Sequence, residues 1–139
     1  FIVAISVLLG GLIWSTNVDS SNAIDVQSQT ENVSPIITTS SSPQKVKFAK
    51  FLSEKNIVMY SAYWCPHCHD QKQLFGKEAV KELKVVECAK DGKDNKYELC
   101  QKKGISGFPS WEINGEIFSG TRDLNELAIK TDYQGDSNF

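Results

Sequence analysis

The first 44 residues of the sequence contain no lysine or arginine, so the 15 basic residues of this 139-residue chain all lie from Lys45 onward. With 17 acidic residues they leave a formal net charge of −2, and they form neither a basic block nor a basic helix face. This distribution argues against nucleic acid as a partner. By the positive-inside rule, the flank before Lys45, which carries no positive charge, suits the non-cytoplasmic side of a membrane.

No apolar run in the sequence is long enough by itself to cross a bilayer. The run FIVAISVLLGGLIW, Phe1 to Trp14, falls short of the roughly 20 residues that a membrane helix needs. It is interpreted either as the end of a transmembrane helix or as part of a secretory signal. Residues 15–44, rich in Ser, Thr, Asn and Gln, predict a flexible linker. A domain is predicted over 45–133, followed by a tail at 134–139.

The residues after the linker alternate between helical and strand patterns. In chain order the segments KVKFAKFLSEK, NIVMYSAY, HDQKQLFGKEAVKEL, KVVEC, DNKYELCQKKG, SWEINGEIFSG and TRDLNELAIKT predict the order α-β-α-β-α-β-β-α. Asn114-Gly115 is the turn of the predicted hairpin. In the second predicted helix, Leu74, Val80 and Leu83 lie toward one side, although Gly76 weakens its middle. The order predicts an α/β fold, a sheet with helices on both faces.

The stretch AYWCPHCHD contains Cys65 and Cys68, a spacing that three chemistries share: a redox dithiol, a c-type haem attachment and half of a zinc site. A haem usually needs a second axial ligand, and the chain offers only Met59 and His67, neither well placed to reach it. Zinc ribbons use two close cysteine pairs, whereas eleven residues lie between Cys88 and Cys100. Both interpretations are therefore weaker than the redox dithiol.

A redox dithiol accounts for more of the pattern. The helix is expected to start at or just after Cys65, where unpaired backbone N–H groups and the helix dipole favour a thiolate. Pro66 suits the first turn of a helix, because its missing N–H would be unpaired there. A protonated His67 would stabilise the thiolate further and make the disulfide a stronger oxidant. Trp64 is expected to form an apolar wall of the site or to belong to the core, as is Trp111.

The WCPHC motif after an apolar strand, with GFPS (Gly107 to Ser110) further along, resembles the thioredoxin superfamily over about Lys45 to Thr131. The resemblance implies the thioredoxin fold without its first strand, and catalysis by Cys65 and Cys68. It also implies that Pro109, preceded by Phe108, follows a cis peptide bond and takes part in binding the substrate peptide. No dissociable cofactor or metal is then needed, because the disulfide itself carries the electrons.

Two departures from reducing thioredoxins concern the direction of electron flow. Pro66-His67 replaces the Gly-Pro dipeptide between the cysteines and is similar to the bacterial periplasmic thiol oxidases. Met59 stands where thioredoxins have a buried Asp that relays protons. Both departures favour disulfide formation or isomerisation in client proteins. A disulfide reductase and a zinc-binding thioredoxin-like module are the alternatives.

A narrower resemblance is carried by YWCPHCHDQKQLFGKEA, by ELC with a partner cysteine upstream, and by FPSWEINGEIFSG. These segments are similar to the thioredoxin-like domain fused to vitamin K epoxide reductase homologues of photosynthetic organisms. That likeness implies a membrane domain of this type as partner, in the same chain or separate, with a quinone bound only there. It implies a membrane-anchored protein with this domain in the periplasm or thylakoid lumen, and cysteine-containing client proteins.

Cys88 and Cys100 are the remaining cysteines. An even number of cysteines in a non-cytoplasmic domain suggests a disulfide between them. It is either a structural staple, worth about 2–3 kcal/mol by the chain-entropy argument, or a second redox pair that relays electrons. The sequence leaves both roles open.

Overall fold

The computed structural model describes residues 32–139, so the predicted membrane or signal segment at 1–14 lies outside the described residues. The elements, in chain order, are α1 (Pro43–Glu54), β1 (Val58–Ser61), α2 (Pro66–Phe75), a 3₁₀ turn (Ala79–Glu82), β2 (Lys84–Glu87), α3 (Tyr97–Lys102), β3 (Ser110–Ile113), β4 (Glu116–Ser119) and α4 (Leu124–Lys130). Apart from the short 3₁₀ turn, this is the predicted order. Within 32–139, no helix has the length and apolar character needed to cross a membrane.

The four strands form one mixed sheet in the order β2-β1-β3-β4. β1 pairs with β2 in parallel and with β3 antiparallel, and β3 and β4 form the closing antiparallel hairpin. The hairpin turn has positive φ at Asn114 (51°) and Gly115 (82°), as the predicted Asn-Gly turn requires. The predicted α/β fold is therefore confirmed, with a thioredoxin-like sheet flanked by helices.

The two faces of β1 line different clusters, because successive side chains of a strand point to opposite faces. Met59 belongs to the main core together with Cys65 and Cys68. Tyr60 belongs to a second, smaller cluster that contains Cys88 and Cys100. The two cysteine pairs thus pack in separate apolar clusters.

Helix α2 ends earlier than predicted. It stops at Phe75, and Gly76 adopts a φ of 90°. A Cβ on Gly76 would lie 2.7 Å from the backbone carbon of Ser40, so no larger residue fits there without movement. Leu74 is 39% exposed, whereas Phe75 is fully buried and packs in the core.

Residues 32–42, which we call the N-terminal segment, run in an extended conformation over α2 and the turn that follows it. Thr39 Oγ1 donates to the Gln73 carbonyl at 2.6 Å, and Ser41 Oγ donates to the Phe75 carbonyl at 2.7 Å. Asn32 Nδ2 donates to the Asp91 carbonyl at 2.8 Å. These bonds correct the predicted linker over 15–44 in its described part, which is fixed to the domain by its polar side chains.

The other predicted domain boundaries also shift. α1 begins at Pro43, two residues before the predicted start of the domain, with Ser42 as its N-cap. The predicted tail at 134–139 packs on the domain, because the Phe139 ring lies 4.9 Å from the Phe48 ring between centroids. The ordered unit therefore includes residues on both sides of the predicted 45–133.

Candidate active site

Cys65 is the N-cap of α2, with Pro66 in the first turn, as the sequence predicts. Its Sγ accepts a hydrogen bond from the Cys68 backbone N–H at 3.3 Å. An N-cap side chain of this kind pairs one of the free N–H groups at the start of a helix. A negative sulfur at this position is also favoured by the positive end of the helix dipole. Both cysteines are free thiols in this structure.

Cys68 lies one turn into the helix and is 1% exposed, compared with 6% for Cys65. Burial raises the pKa of the Cys68 thiol to about 12, and its hydrogen bond with Cys65 adds to the increase. The Ala62 backbone N–H and the Ser61 hydroxyl act in the opposite direction. The pair is therefore asymmetric: Cys65 is the more accessible thiol, and burial makes the Cys68 thiol difficult to ionise.

Phe108 and Pro109 lie directly against Cys65. The peptide bond between them is cis, as the family resemblance implied, and the Cys65 thiol lies 3.6 Å from the Phe108 carbonyl oxygen. Trp64 is 60% exposed and packs edge-on against the Phe108 ring, with 6.0 Å between centroids. Trp64 thus forms an apolar wall beside the dithiol. Trp111 is instead fully buried in the core.

His67 occupies the exposed side of the first turn of α2. Its Nδ1 lies 3.9 Å from a carboxylate oxygen of Asp70, and both side chains are largely in solvent. His69 points elsewhere, with Nε2 3.2 Å from Gln73 Nε2. Of the two histidines, only His67 lies between the cysteines, where a positive charge would act on the dithiol.

Cys88 and Cys100 form a disulfide, as predicted, with 5.8 Å between their Cα atoms. The bond joins the loop after β2 to α3 and packs with Tyr60 and Ile105. A zinc site built from four cysteine thiolates would need both of these sulfurs reduced. Among residues 32–139, no three His, Cys, Asp or Glu side chains are grouped so as to hold a metal ion.

The sequence analysis missed Lys72 and Ser61. Lys72 is only 7% exposed, and Ser61, at the end of β1, is fully buried. Lys72 follows Cys68 by four residues and Cys65 by seven, the spacing of one helix face. That spacing from the WCPHC motif was the available signal for Lys72. Ser61 is four residues before Cys65, in a strand predicted to be buried on both faces.

Glu87, at the end of β2, holds the backbone beside the dithiol. Its Oε1 accepts from the backbone N–H of Tyr63 at 3.2 Å and of Ala89 at 2.8 Å. The Tyr63 hydroxyl donates to Asp91 at 2.9 Å, which ties the same loop to the end of the parallel strand pair. The segment that leads to Cys65 is therefore held in place by Glu87 and Asp91, at and after the end of β2.

Comparison with known proteins identifies the class to which this site belongs. The thioredoxin family model matches residues 37–130. The chain is 46% identical over 103 residues to the thiol-disulfide oxidoreductase LTO1 of Arabidopsis thaliana, covering 72% of this chain and 27% of that protein. It is 31% identical over 90 residues to a probable protein disulfide-isomerase A6 of Medicago sativa, covering 59% and 25%. A glutaredoxin of Pseudomonas aeruginosa is 33% identical over 72 residues, covering 51% and 82%.

The chain belongs to the thioredoxin family. It spans only about a quarter of the length of the first two relatives. The family, the two free thiols at a helix start and the adjacent cis proline are those of a protein disulfide oxidoreductase domain. The predicted superfamily resemblance is thereby confirmed.

Proposed function

We propose that this domain exchanges disulfides with cysteine-containing client proteins through Cys65 and Cys68 and works in the oxidising direction. The disulfide form accepts a client thiolate at Cys65 Sγ, which forms a mixed disulfide and releases Cys68 as a thiolate. A second client thiolate then attacks the client sulfur of the mixed disulfide. The client gains a disulfide, Cys65 leaves as a thiolate, and the domain ends as the two-electron-reduced dithiol.

The observation that carries this assignment is the asymmetric setting of the two sulfurs. Cys65 caps α2 and lies against the Phe108 carbonyl beside the exposed Trp64 ring. Cys68 is almost completely buried behind it. A client can approach Cys65 over the surface formed by Trp64 and Phe108, and that surface supports our assignment of Trp64, Phe108 and Pro109 to client binding. Cys68 is then the resolving cysteine, which acts within the domain.

Two features support oxidation over reduction. His67 and Pro66 separate the cysteines, and a protonated His67 would favour the thiolate of Cys65 and so the reduced state of the pair. Met59 is fully buried in the same cluster as the two cysteines, so this core position carries no carboxylate to take a proton. A pair whose dithiol form is stabilised gives its disulfide to clients readily.

The membrane assignment is the broader part of the proposal. The apolar run at 1–14 supports a membrane anchor, with this domain on the periplasmic or thylakoid-lumen side. The resemblance to domains fused to vitamin K epoxide reductase homologues supports a membrane partner of that type. In this arrangement the partner reoxidises Cys65–Cys68 and passes the electrons to a quinone, and the present domain binds no cofactor of its own.

Trapping of the mixed disulfide tests the roles of the two cysteines. In the wild-type domain Cys68 would attack the mixed disulfide and release the peptide, so the Cys68→Ser variant is used. Its Cys65 is first converted to a disulfide with glutathione. The protein is then mixed with a peptide that carries one cysteine. We expect a stable Cys65–peptide disulfide, visible by mass. In the matched Cys65→Ser variant, Cys68 should form little adduct because it is buried. Equal adducts in both variants would overturn the assignment of Cys65 as the client-facing sulfur.

A further inference from the structure

Lys72 is a buried lysine that forms no ion pair with a carboxylate among the described residues. Its ammonium donates to Ser34 Oγ of the N-terminal segment at 2.8 Å. A buried charge without an ion-pair partner is costly to fold. A lysine at such a position therefore calls for an explanation other than stability.

The groups that act on Lys72 belong to the dithiol and to β2. Burial lowers the pKa of Lys72, and the negative charges of Cys68, Glu87 and Cys65, in that order of size, act to raise it. Cys68 is on the same helix face one turn earlier, and i, i+4 side chains of a helix are neighbours. A buried positive charge one helical turn from Cys68 is placed to favour the thiolate form of that cysteine.

Ser61 provides a second observation at the same sulfur. Its Oγ is fully buried and has no hydrogen-bond partner among residues 32–139. Its hydroxyl nevertheless lowers the pKa of Cys68, as the Ala62 backbone N–H does. An unsatisfied buried hydroxyl is destabilising by itself. The Ser61 hydroxyl has no acceptor while the Cys68 thiol is protonated. When the thiol loses its proton, the thiolate becomes an acceptor for that hydroxyl.

We propose that Lys72 is a positioning residue that stabilises the Cys68 thiolate during resolution of a mixed disulfide on Cys65, with the Ser61 hydroxyl as the second donor. The inference rests on the roles assigned to Cys65 and Cys68 above. Lys72 would act on Cys68 through its buried positive charge, from the same face of α2.

In the direction that restores the Cys65–Cys68 disulfide, Cys68 attacks the mixed disulfide between Cys65 and the client. The Cys68 thiol gives its proton to solvent, and the thiolate is held by the Lys72 charge and the Ser61 hydroxyl. The thiolate attacks Cys65 Sγ of the mixed disulfide, the Cys65–client S–S bond breaks, and the Cys65–Cys68 bond forms. The client sulfur leaves with the electron pair as a thiolate.

Two-phase release of nitrothiobenzoate tests this proposal on the full chain. The dithiol form, with Cys88–Cys100 kept oxidised, is mixed with dithiobis(nitrobenzoate). Cys65 attack releases the first coloured thiolate, and Cys68 attack on the resulting mixed disulfide releases the second. For Lys72→Met we expect the second phase to slow by about tenfold, the effect of one pKa unit on the thiolate fraction. Its pH profile should move to higher pH, while the first phase changes less.

Three further variants separate a charge effect from a structural one. Lys72→Arg should restore most of the second-phase rate, because arginine keeps the charge. Ser61→Ala should slow the same phase without loss of folding stability, because it removes an unsatisfied hydroxyl. Lys81→Met removes an exposed lysine from the 3₁₀ turn and should change neither phase. Each variant is checked by its urea unfolding curve.

The outcomes are distinct. An unchanged second phase in folded Lys72→Met overturns the proposal, and so does Lys72→Arg when it is as slow as Lys72→Met. A second phase that persists in Cys68→Ser instead overturns the assignment of Cys68 as the resolving cysteine, on which the proposal rests. Slowing in Lys72→Met and Ser61→Ala, with rescue by Lys72→Arg, supports it.

Discussion

The two cysteine pairs of this domain are buried to the same degree and are nevertheless in opposite states. Cys65 and Cys68 are 6% and 1% exposed and are free thiols, whereas Cys88 and Cys100 are 4% and 1% exposed and form a disulfide. Burial alone therefore does not distinguish a reactive pair from a closed one. The difference lies in the groups around each sulfur.

Both pairs lie in apolar clusters, but the reactive pair Cys65–Cys68 also has hydrogen-bond donors near its sulfurs. Cys65 accepts from a backbone N–H at a helix start, and the buried side chains of Lys72 and Ser61 are the groups that we propose act on Cys68. Cys88 and Cys100 pack with residues such as Ile105, on the opposite face of β1. A thiolate needs donors to be stable in a protein interior, so these surroundings support our proposal that Cys65–Cys68 is the redox pair and Cys88–Cys100 a structural disulfide.

The strongest test of this comparison is to disrupt each cysteine pair in turn. Cys65→Ser should reduce disulfide exchange with a cysteine-containing peptide to the uncatalysed rate, because the client-facing nucleophile is lost. The double variant Cys88→Ala/Cys100→Ala should retain most of the activity at a temperature where it is folded. A complete loss in the double variant would instead make Cys88–Cys100 a relay and end its interpretation as a staple.

The same double variant should show its main effect in stability. Removal of the Cys88–Cys100 disulfide, which spans 12 positions, should lower the free energy of unfolding by about 2–3 kcal/mol. The chain-entropy argument attributes this loss to the greater freedom of the unfolded chain. Urea unfolding measures it, with Cys65→Ala/Cys68→Ala as the control, where a smaller change is expected because those thiols are not bonded. Equal losses in both would contradict the division of roles.

A smaller effect is expected from the exposed histidine between the reactive cysteines. His67→Ala should lower the reduction potential of Cys65–Cys68 by roughly 30 mV, a tenfold change in the equilibrium with glutathione. The reason is the loss of a positive charge that favours the reduced pair when the imidazole is protonated. His69→Ala is the matched control, since His69 lies against Gln73 and should change the potential less. A reduction potential that rises in His67→Ala would contradict a role of His67 in stabilising the reduced pair.

The smallest expected effect on stability concerns Glu112, in strand β3. Hydrogen bonds from Lys103 at 2.8 Å and from Tyr60 at 2.6 Å lower the pKa of Glu112. The pKa of Glu112 is lower in the folded state than in the unfolded state, where it is about 4.3. Ionised Glu112 therefore stabilises the fold at pH values above about 4.3. This contribution is lost as the pH falls through the folded-state pKa. Glu112→Gln should cost at most about 1 kcal/mol at neutral pH.

The acid dependence provides the measurement for Glu112. The difference in unfolding free energy between wild type and Glu112→Gln should shrink as the pH is lowered through the acid range. Glu116→Gln, on the neighbouring strand and exposed, should show no such trend. A difference that does not depend on pH would mean that Glu112 acts by packing alone.

Much of the fold followed from local signals in the sequence. Cys65 was placed at a helix start by the apolar strand before it and by Pro66 after it, and the structure has it as the N-cap. Asn114-Gly115 specified the hairpin because both positions need positive φ. These features depend on residues close together in the chain, and the physical rules for them are local.

The features that the sequence did not reveal depend on contacts between distant segments. The polar composition of residues 32–42 predicted a flexible linker, but their side chains bond to α2 through Gln73 and Phe75. Helix α2 stops at Phe75, before Gly76, and that same segment passes beside Gly76. The burial of Lys72 follows from the same contact, since its ammonium is held by Ser34. No periodicity within α2 indicates a partner about 35 residues away.

The reduction potential of the Cys65–Cys68 pair tests the central claim most directly. The full chain is equilibrated in glutathione buffers, its thiols are trapped, and the fraction oxidised is measured by mass, with Cys65→Ser to identify the signal. Our account predicts a potential well above the value of about −270 mV for thioredoxin. A potential at or below that value would contradict the oxidising role and make the domain a disulfide reductase.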